Sequence, residues 1–404
     1  MINLHYTRTR AAARAFAYPA GVPMLTALAA AAGLVVLAGA FLLTGENAWA
    51  QTCSPSFVAT PINDLATGTY QGFEGGLYGG GMNTAPAQHD ADGKTFAAEV
   101  QPLDQDGSPS ATGKIVFMSI GPSLAQQEWG TVITQTAQTP GVNHTTLKVV
   151  DGAIPQYTTC RWNNAYGVEN GCVGVPGRPN AYDYVRDHYL APAGVTELQV
   201  QAIWAEMAND DPSANGFMPL CNPSMPGCVN SKTTTEALNQ EAELGQIVVA
   251  CKTRYPNLKL FFVSGNLYSG YTIVPTSPEP YAYEYGFSNQ FLITAQIAEV
   301  ANGTDIDPLG VVGDVNYTDG VAPWVGWSGY LWADGCIPRS DGLVWLSDDY
   351  LLDGLHPSVE GRADAAAVLL ADFTVDPYTT PWFLAPVKKR GQASTAGDGH
   401  PGNR

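Results

Sequence analysis

The stretch Lys114–Glu128, KIVFMSIGPSLAQQE, decides the fold of this chain. Its apolar run at 115–118 stops at Gly121-Pro122-Ser123, and an apolar run ended by Gly and Pro is typical of a strand that is buried on both faces. In open α/β sheets, ligands bind at the carboxyl ends of the strands. The sequence therefore places Ser123 where a binding site is expected.

Strands and helices alternate along the chain after this stretch. Short connections between alternating elements are typical of a parallel sheet with helices on both faces. The predicted fold class is therefore α/β, a three-layer α/β/α sandwich with a central, mostly parallel five-stranded sheet. The predicted elements are strands at 114–120, 146–150, 198–204, 258–263 and within 309–315, and helices at 123–136, 236–254, 284–300 and 358–373.

The segments outside this core differ from it in composition. Residues 1–50 contain basic residues, an uncharged apolar run and then Ala48-Trp49-Ala50, which is the order of a secretory signal. Cleavage after Ala50 would give a secreted or periplasmic protein, whereas a retained N-terminal anchor is the alternative and the one membrane attachment predicted. Residues 51–113 are predicted to form a Gly-rich lead-in packed on the core, 114–387 the catalytic domain, and 388–404 a disordered tail.

The net charge argues against certain partners, and the cysteines are consistent with an exported protein. The formal net charge of −18 argues against nucleic acid and against anionic membrane surfaces as partners. Export permits disulfides, and short spacing predicts the pairs Cys160–Cys172 and Cys221–Cys228, with Cys251 as a buried free thiol. No cysteine or histidine spacing suggests a metal site, and no cofactor is predicted.

One histidine of the chain is placed to act as a base toward Ser123. A serine hydroxyl becomes a nucleophile when a histidine takes its proton and a carboxylate orients that histidine. Of the six histidines, only His356 follows an acid by three residues with a glycine between them, in Asp353-Gly354-Leu355-His356. A tight turn there would bring Asp353 to Nδ1 and leave Nε2 for Ser123. A helix-entry turn with no catalytic role is the alternative interpretation of this motif.

Two of these motifs resemble those of the SGNH, or GDSL-type, hydrolases. Gly121-Pro122-Ser123 is similar to the family's G-D-S block, which carries the nucleophile, and Asp353-x-x-His356-Pro357 is similar to its last block, which carries the base and its orienting acid. The resemblance covers 114–373 and implies the flavodoxin-like SGNH fold, an acyl-enzyme mechanism on Ser123 and no cofactor. Pro122 stands where the family usually has Asp, and the family's G-x-N-D block is not present as such.

The same resemblance implies donors for the oxyanion of the reaction. Gly152, after the second strand, would offer its backbone N–H, which is expected to face the same cleft as Ser123. Asn209, in Asn209-Asp210 after the third strand, would offer its side-chain amide. Asn266, after the fourth strand, is the second candidate for that side-chain donor.

The predicted function is an extracytoplasmic serine esterase acting on carboxylic esters, with O-acylated carbohydrate among its substrates. An α/β-hydrolase fits less well, because its nucleophile normally follows several strands and its Asp and His lie on separate loops. A catalytically inactive carbohydrate-binding or surface protein of the same fold is the alternative. Aromatic residues in predicted loops would either stack on sugars or pack over the core, and packing is favoured. They are Trp324, Trp327, Tyr330, Trp332, Trp345 and Tyr350.

Overall fold

The structure, a computed structural model, describes residues 55–163, 180–303 and 309–386. Its strands form a two-stranded antiparallel ribbon and a five-stranded sheet. The strands are β1 (Thr69–Tyr70), β2 (Phe73–Glu74), β3 (Ile115–Ile120), β4 (Leu147–Val150), β5 (Val200–Ala205), β6 (Leu260–Val263) and β7 (Trp324–Trp327).

The first α-helix precedes β1, and the others lie in the connections between strands or follow β7. A short π-helical segment, Arg186–Leu190, continues the fifth helix, and single 3₁₀ turns lie at Glu197–Gln199 and Ser347–Asp349. The α-helices are α1 (Ile62–Leu65), α2 (Ala87–Glu99), α3 (Ser123–Thr136), α4 (Thr159–Trp162), α5 (Ala181–Val185), α6 (Glu236–Arg254), α7 (Tyr281–Asn302), α8 (Val359–Phe373) and α9 (Thr380–Phe383).

The large sheet has the strand order β4–β3–β5–β6–β7, and every neighbouring pair is parallel. All residues of β3, β5, β6 and β7 are buried, as expected for strands covered by helices on both faces. The α/β class with a five-stranded parallel sheet is therefore confirmed. Because the strands are parallel, the residues that follow β3, β4, β5 and β6 lie on the same side of the sheet, at the carboxyl ends of the strands.

Aromatic side chains pack α3 and α8 against the central strands of the sheet. Phe117 of β3 makes edge contacts with Trp129 of α3 and Phe373 of α8, with ring centroids 4.9 and 5.1 Å apart. Trp129 in turn stacks on Trp204 of β5 at 5.0 Å. Each such pair adds about 0.5–1.5 kcal/mol beyond the burial of its apolar area. These contacts fix the position of α3, the helix that begins at Ser123.

The fifth strand of the sheet does not lie where the sequence predicted it. It is Trp324–Trp327 rather than a segment within 309–315. In that earlier segment Gly310 and Gly313 have positive φ angles of 69° and 79°, which an extended strand does not contain. The N–H of Val315 donates to the Glu299 carboxylate of α7 instead of a neighbouring strand. The apolar residues of 309–315 therefore belong to a turn-rich connection.

The Gly-rich lead-in contains a helix, α2, that the sequence did not predict. Gly93 in its middle weakens helix propensity, but it allows Trp324 of β7 to approach, since a Cβ there would lie 2.6 Å from the indole. His89 of α2 is buried, stacks on Trp324 at 4.8 Å, and bonds the Val325 carbonyl through Nε2. Burial lowers the pKa of His89 to about 4, so this histidine is neutral and structural.

One predicted disulfide and the predicted free thiol are confirmed by the structure. Cys221 and Cys228 form a disulfide, and Cys251 is a buried free thiol. Cys160 and Cys336 are also disulfide-bonded. Cys172, the predicted partner of Cys160, lies outside the described residues, as do the predicted signal and tail. Within the described ranges, none of the helices combines the length and apolarity needed to cross a bilayer.

Candidate active site

Ser123 is the first residue of α3, and the turn Gly121-Pro122 connects it to β3. Gly121 has φ 145°, a conformation that favours glycine, and a Cβ at this position would collide with the carbonyl oxygen of Glu206. The Gly121 carbonyl accepts the Ile154 N–H at 2.9 Å. The turn therefore lies between the segment that follows β4 and the segment that follows β5, at the carboxyl ends of the parallel strands.

The turn Asp353–His356 holds the predicted base and its orienting acid. Gly354 has φ 67°, and a Cβ there would collide with the Tyr271 carbonyl. Asp353 Oδ1 accepts the N–H groups of Leu355 and His356, both at 3.0 Å. Asp353 Oδ2 lies 2.7 Å from His356 Nδ1. The D-x-x-H spacing thus lets one carboxylate fix both the turn and the imidazole ring.

The structure brings Ser123, His356 and Asp353 together. Ser123 Oγ lies 2.8 Å from His356 Nε2, although the two residues are 233 positions apart in the chain. With Nδ1 donating its proton to Asp353, Nε2 is the unprotonated nitrogen and accepts the Ser123 hydroxyl. The side chains of His356 and Asp353 are 27% and 32% exposed, so a small molecule can reach the group from solvent. This geometry is that of a hydroxyl activated by an oriented base.

The electrostatics of Asp353 suit its orienting position. Partial burial acts to raise its pKa, but hydrogen bonds from the His356 ring and from the N–H groups of Leu355 and His356 outweigh burial and hold the pKa below its usual value. The carboxylate therefore stays ionised at neutral pH. An ionised carboxylate at Nδ1 stabilises the imidazolium that forms when Nε2 takes a proton.

The N-terminus of α3 supplies N–H donors beside Ser123 Oγ. The N–H groups of Ser123, Leu124 and Ala125 find no acceptor in the part of the chain that the structure describes, and Pro122 offers no side-chain cap. Free N–H groups in a first helical turn, together with the helix dipole, stabilise negative charge. An oxyanion formed on the carbon attached to Ser123 Oγ would meet these donors.

Gly152, the predicted second oxyanion donor, has its N–H engaged elsewhere. That N–H donates to Ser119 Oγ at 3.2 Å, and Ser119 Oγ donates to Asp151 Oδ1 at 3.0 Å. Burial raises the pKa of Asp151 to about 6, against hydrogen bonds from Ser119 and the Ala153 N–H. Gly152 does lie at the carboxyl end of β3, where a Cβ would sit 2.6 Å from the Ser119 carbonyl. In this structure it ties β4 to β3 rather than offering a free donor.

Asn209 does not offer the side-chain donor that was predicted from the N-D sequence. Its Nδ2 donates to Glu243 Oε2 at 2.7 Å and to Glu236 Oε1 at 3.0 Å, and both acceptors belong to α6. Its Oδ1 accepts the Cys160 N–H at 3.3 Å. Both amide protons are therefore donated to carboxyl groups of α6, and Asn209 connects the chain after β5 to α6.

Asn266, the second candidate, lies beside two buried glutamates that the sequence did not single out. Its Nδ2 donates to Glu206 Oε1 at 3.3 Å, and both side chains are buried. Glu206 faces Glu128 of α3, which is also fully buried. Two features of the sequence could have indicated this buried pair. One is an acid on the apolar face of α3, beside Trp129, and the other is an acid directly after the buried strand β5.

The six aromatic residues that could have formed a sugar-stacking surface are buried. Trp324, Trp332 and Trp345 have no exposed surface, and Trp327, Tyr330 and Tyr350 are at most 6% exposed. Packing over the core is therefore confirmed for this group. These rings form no exposed stacking platform for a sugar.

No family model matches the chain, and no curated protein has a significantly similar sequence. Across residues 55–163, 180–303 and 309–386, no three His, Cys, Asp or Glu side chains are grouped as metal ligands would be. The site contains a hydroxyl, an imidazole and a carboxylate that form a chain of two hydrogen bonds at a helix N-terminus.

Proposed function

We propose that this protein is an extracytoplasmic serine esterase that hydrolyses carboxylic esters through an acyl-enzyme on Ser123. The observation that carries the proposal is the chain of contacts from Ser123 Oγ to His356 Nε2, at 2.8 Å, and from His356 Nδ1 to Asp353 Oδ2, at 2.7 Å. Its position at the carboxyl edge of a parallel sheet supports the proposal. The disulfide Cys221–Cys228 supports an oxidising compartment.

In the first half-reaction, Ser123 Oγ attacks the carbonyl carbon of the ester while His356 Nε2 takes the hydroxyl proton. The resulting oxyanion is stabilised by the free N–H groups that begin α3. When the tetrahedral species collapses, the bond to the alcohol oxygen breaks and His356 gives its proton to that oxygen. The alcohol leaves, and the acyl group stays on Ser123.

In the second half-reaction, water replaces the alcohol as the reacting group. His356 Nε2 takes a proton from water, whose oxygen attacks the acyl carbon and forms a second oxyanion at the same helix N-terminus. Collapse releases the carboxylic acid, and the proton returns from His356 to Ser123 Oγ. Asp353 stays ionised throughout and stabilises the imidazolium in both steps.

The solvent side of the Asp353 turn is apolar. Leu352 is 100% exposed next to Asp353, and Ile273 is 80% exposed, with its N–H donating to the Asp353 carbonyl at 3.0 Å. Exposed apolar side chains beside a site favour an uncharged substrate with an apolar part. Esters of O-acylated carbohydrate belong to the uncharged class, and hydrolysis of p-nitrophenyl esters of graded acyl length would rank the members of this class.

The proposed function is tested by covalent labelling with a fluorophosphonate, which reacts with activated serine hydroxyls. We expect labelling of the folded protein at the peptide that contains Ser123, together with loss of p-nitrophenyl acetate hydrolysis at the same rate. Heat-unfolded protein is the control, because activation of Ser123 depends on His356 being 2.8 Å away. Hydrolysis that survives complete labelling, or a folded protein that is not labelled, would contradict the proposal.

Replacing Gly121 by alanine is expected to lower kcat by about 100-fold, because a small displacement of a reacting group is that costly. The added methyl group would collide with the Glu206 carbonyl and push Ser123 away from His356. Gly130→Ala is the matched control, since a Cβ at that position of α3 meets no atom within 4 Å. The measurement is kcat on p-nitrophenyl acetate, and equal rates for the two variants would show that the turn does not position Ser123.

A further inference from the structure

Two buried carboxyl groups lie directly behind the turn that carries Ser123. Glu128 belongs to α3 and Glu206 follows β5, and neither has exposed surface. The two carboxyl groups are within hydrogen-bonding distance of each other. Asn266 Nδ2 donates to Glu206 Oε1 at 3.3 Å. In the described part of the chain, no Lys, Arg or His pairs with either carboxyl group.

The shortage of hydrogen-bond donors around the pair favours a proton on at least one of its carboxyl groups. If both groups were ionised, both oxygens of Glu128 and Oε2 of Glu206 would be buried without a donor. Two adjacent buried anions with no cation carry a large desolvation cost. A proton on one carboxyl group makes that group a donor to the other and reduces that deficit. Burial raises the pKa of both groups, and the charge of Glu206 raises that of Glu128 further.

The other groups that face the pair do not neutralise it. Asn266 approaches from the end of β6, and its Oδ1 has no donor among the described residues. The buried phenol of Tyr350 comes from the segment before α8, and its high pKa, caused by burial first and by charges including that of Glu128, keeps it neutral. Because burial raises the pKa of both groups, the pair gains negative charge only as pH rises above neutral.

The pair is mechanically connected to the nucleophile. Glu128 lies on the helix whose first residue is Ser123, so movement of Glu128 moves Ser123. Glu206 contacts the other side of the turn, because its carbonyl packs on Gly121 and its N–H donates to the Ile120 carbonyl at 3.4 Å. A bond between Glu128 and Glu206 therefore joins the start of α3 to the end of β5.

We propose that a proton shared between Glu128 and Glu206 positions Ser123 against His356. The proposal rests on the esterase function above, and both glutamates are positioning residues because neither touches the reacting atoms. When the proton is lost at alkaline pH, the two carboxylates repel each other, and the start of α3 moves away from β5. The distance from Ser123 Oγ to His356 Nε2 then increases, and kcat falls while substrate binding is retained.

The positioning role is tested with pH profiles of kcat and KM for Glu128→Gln and Glu128→Ala. A glutamine amide donates to Glu206 at every pH, so we expect the alkaline decline of kcat to move up by about one pH unit or more. Alanine removes the bond, so kcat is expected to fall by about 10–100-fold with KM little changed. Glu243→Gln is the matched control, because it neutralises a carboxyl group of raised pKa on α6 that bonds Asn209. A Glu128→Gln profile equal to that of wild type and of the control would overturn the proposal.

The shared proton is tested independently of activity by infrared spectroscopy. The spectrum of wild type minus that of the Glu128→Gln/Glu206→Gln double variant, at neutral pH, is expected to contain the C=O stretch of a protonated carboxyl group. Its absence overturns the inference, and the esterase function still stands if wild type turns over esters. If the band is present but wild type hydrolyses no ester, the proposed function and the positioning role fail together, and the shared proton stands.

Discussion

Replacing Ser123 by alanine is expected to lower kcat for p-nitrophenyl acetate by about 10⁴-fold or more, because members of a serine–histidine unit contribute together. Without Oγ there is no nucleophile 2.8 Å from His356 Nε2, and only the helix N-terminus remains to stabilise charge. His356→Ala is expected to cause a loss of similar size. The double variant should be no slower than either single variant, since the two residues perform one step.

Matched controls separate this chemistry from damage to the fold. Ser224→Ala changes an exposed serine in the loop closed by the disulfide, and His144→Ala changes an exposed histidine. Both should hydrolyse the ester at the wild-type rate. Thermal unfolding of all the variants should differ little, because Ser123 and His356 are partly exposed. If Ser123→Ala keeps the wild-type rate, the esterase assignment to these residues is wrong.

The parts of the site that lie on regular elements could be predicted from sequence. A continuous apolar run followed by Gly-Pro-Ser predicts β3 and the start of α3, because a strand buried on both faces needs such a run. Asp353 and His356 could be paired because their contact is local, within one turn. Their contact with Ser123 is not local. It could still be expected, because in a parallel sheet the loops at the carboxyl ends of the strands lie close together.

The side-chain donors could not be predicted, because they depend on competition among distant residues. Asn209 follows β5 as expected, yet α6 brings Glu236 and Glu243 to its amide. Gly152 follows β4 as expected, yet Ser119 of β3 accepts its N–H. A motif identifies which residues come to an edge of the sheet, whereas the partner of each polar atom depends on which acceptor is nearest in three dimensions.

The misplaced strand has a similar cause. Leu309–Val315 and Trp324–Trp327 are both short and apolar, so composition alone does not separate them. Trp324–Trp327 forms the strand because the Trp324 indole packs against α2, where its Nε1 donates to the His89 carbonyl at 3.0 Å. The glycines of the lead-in do not predict α2, so the sequence does not indicate the partner that stabilises β7.

The protein is expected to be several kcal/mol more stable near pH 5 than near pH 9, a direction set by its buried acids. Burial raises the pKa values of four glutamates far above the usual value near 4.5, and burial likewise raises those of Glu128, Glu206 and Asp376. The four are Glu236 and Glu279, with pKa values of about 7, and Glu243 and Glu284, with pKa values of about 8.

The direction follows from proton binding. Between the unfolded pKa and the folded pKa, the folded protein binds a proton at each of these sites and the unfolded chain does not. The free energy of unfolding therefore falls as pH rises through this window, by about 1.4 kcal/mol per pH unit for each proton, and levels off above the folded pKa values. Over several such groups, Tm at pH 9 should lie about 10 °C or more below Tm at pH 5.

Differential scanning calorimetry of the oxidised protein at pH 5, 7 and 9 measures this effect. Glu243→Gln should reduce the dependence of Tm on pH, because the uncharged amide releases no proton in the window. Glu74→Gln, at an exposed position in β2, should leave that dependence unchanged. A Tm that is constant or rises from pH 5 to pH 9 would mean that the buried acids are ionised in the folded protein. In that case the shared proton of Glu128 and Glu206 would lose its physical basis, because the same burial that raises the pKa of Glu243 acts on this pair.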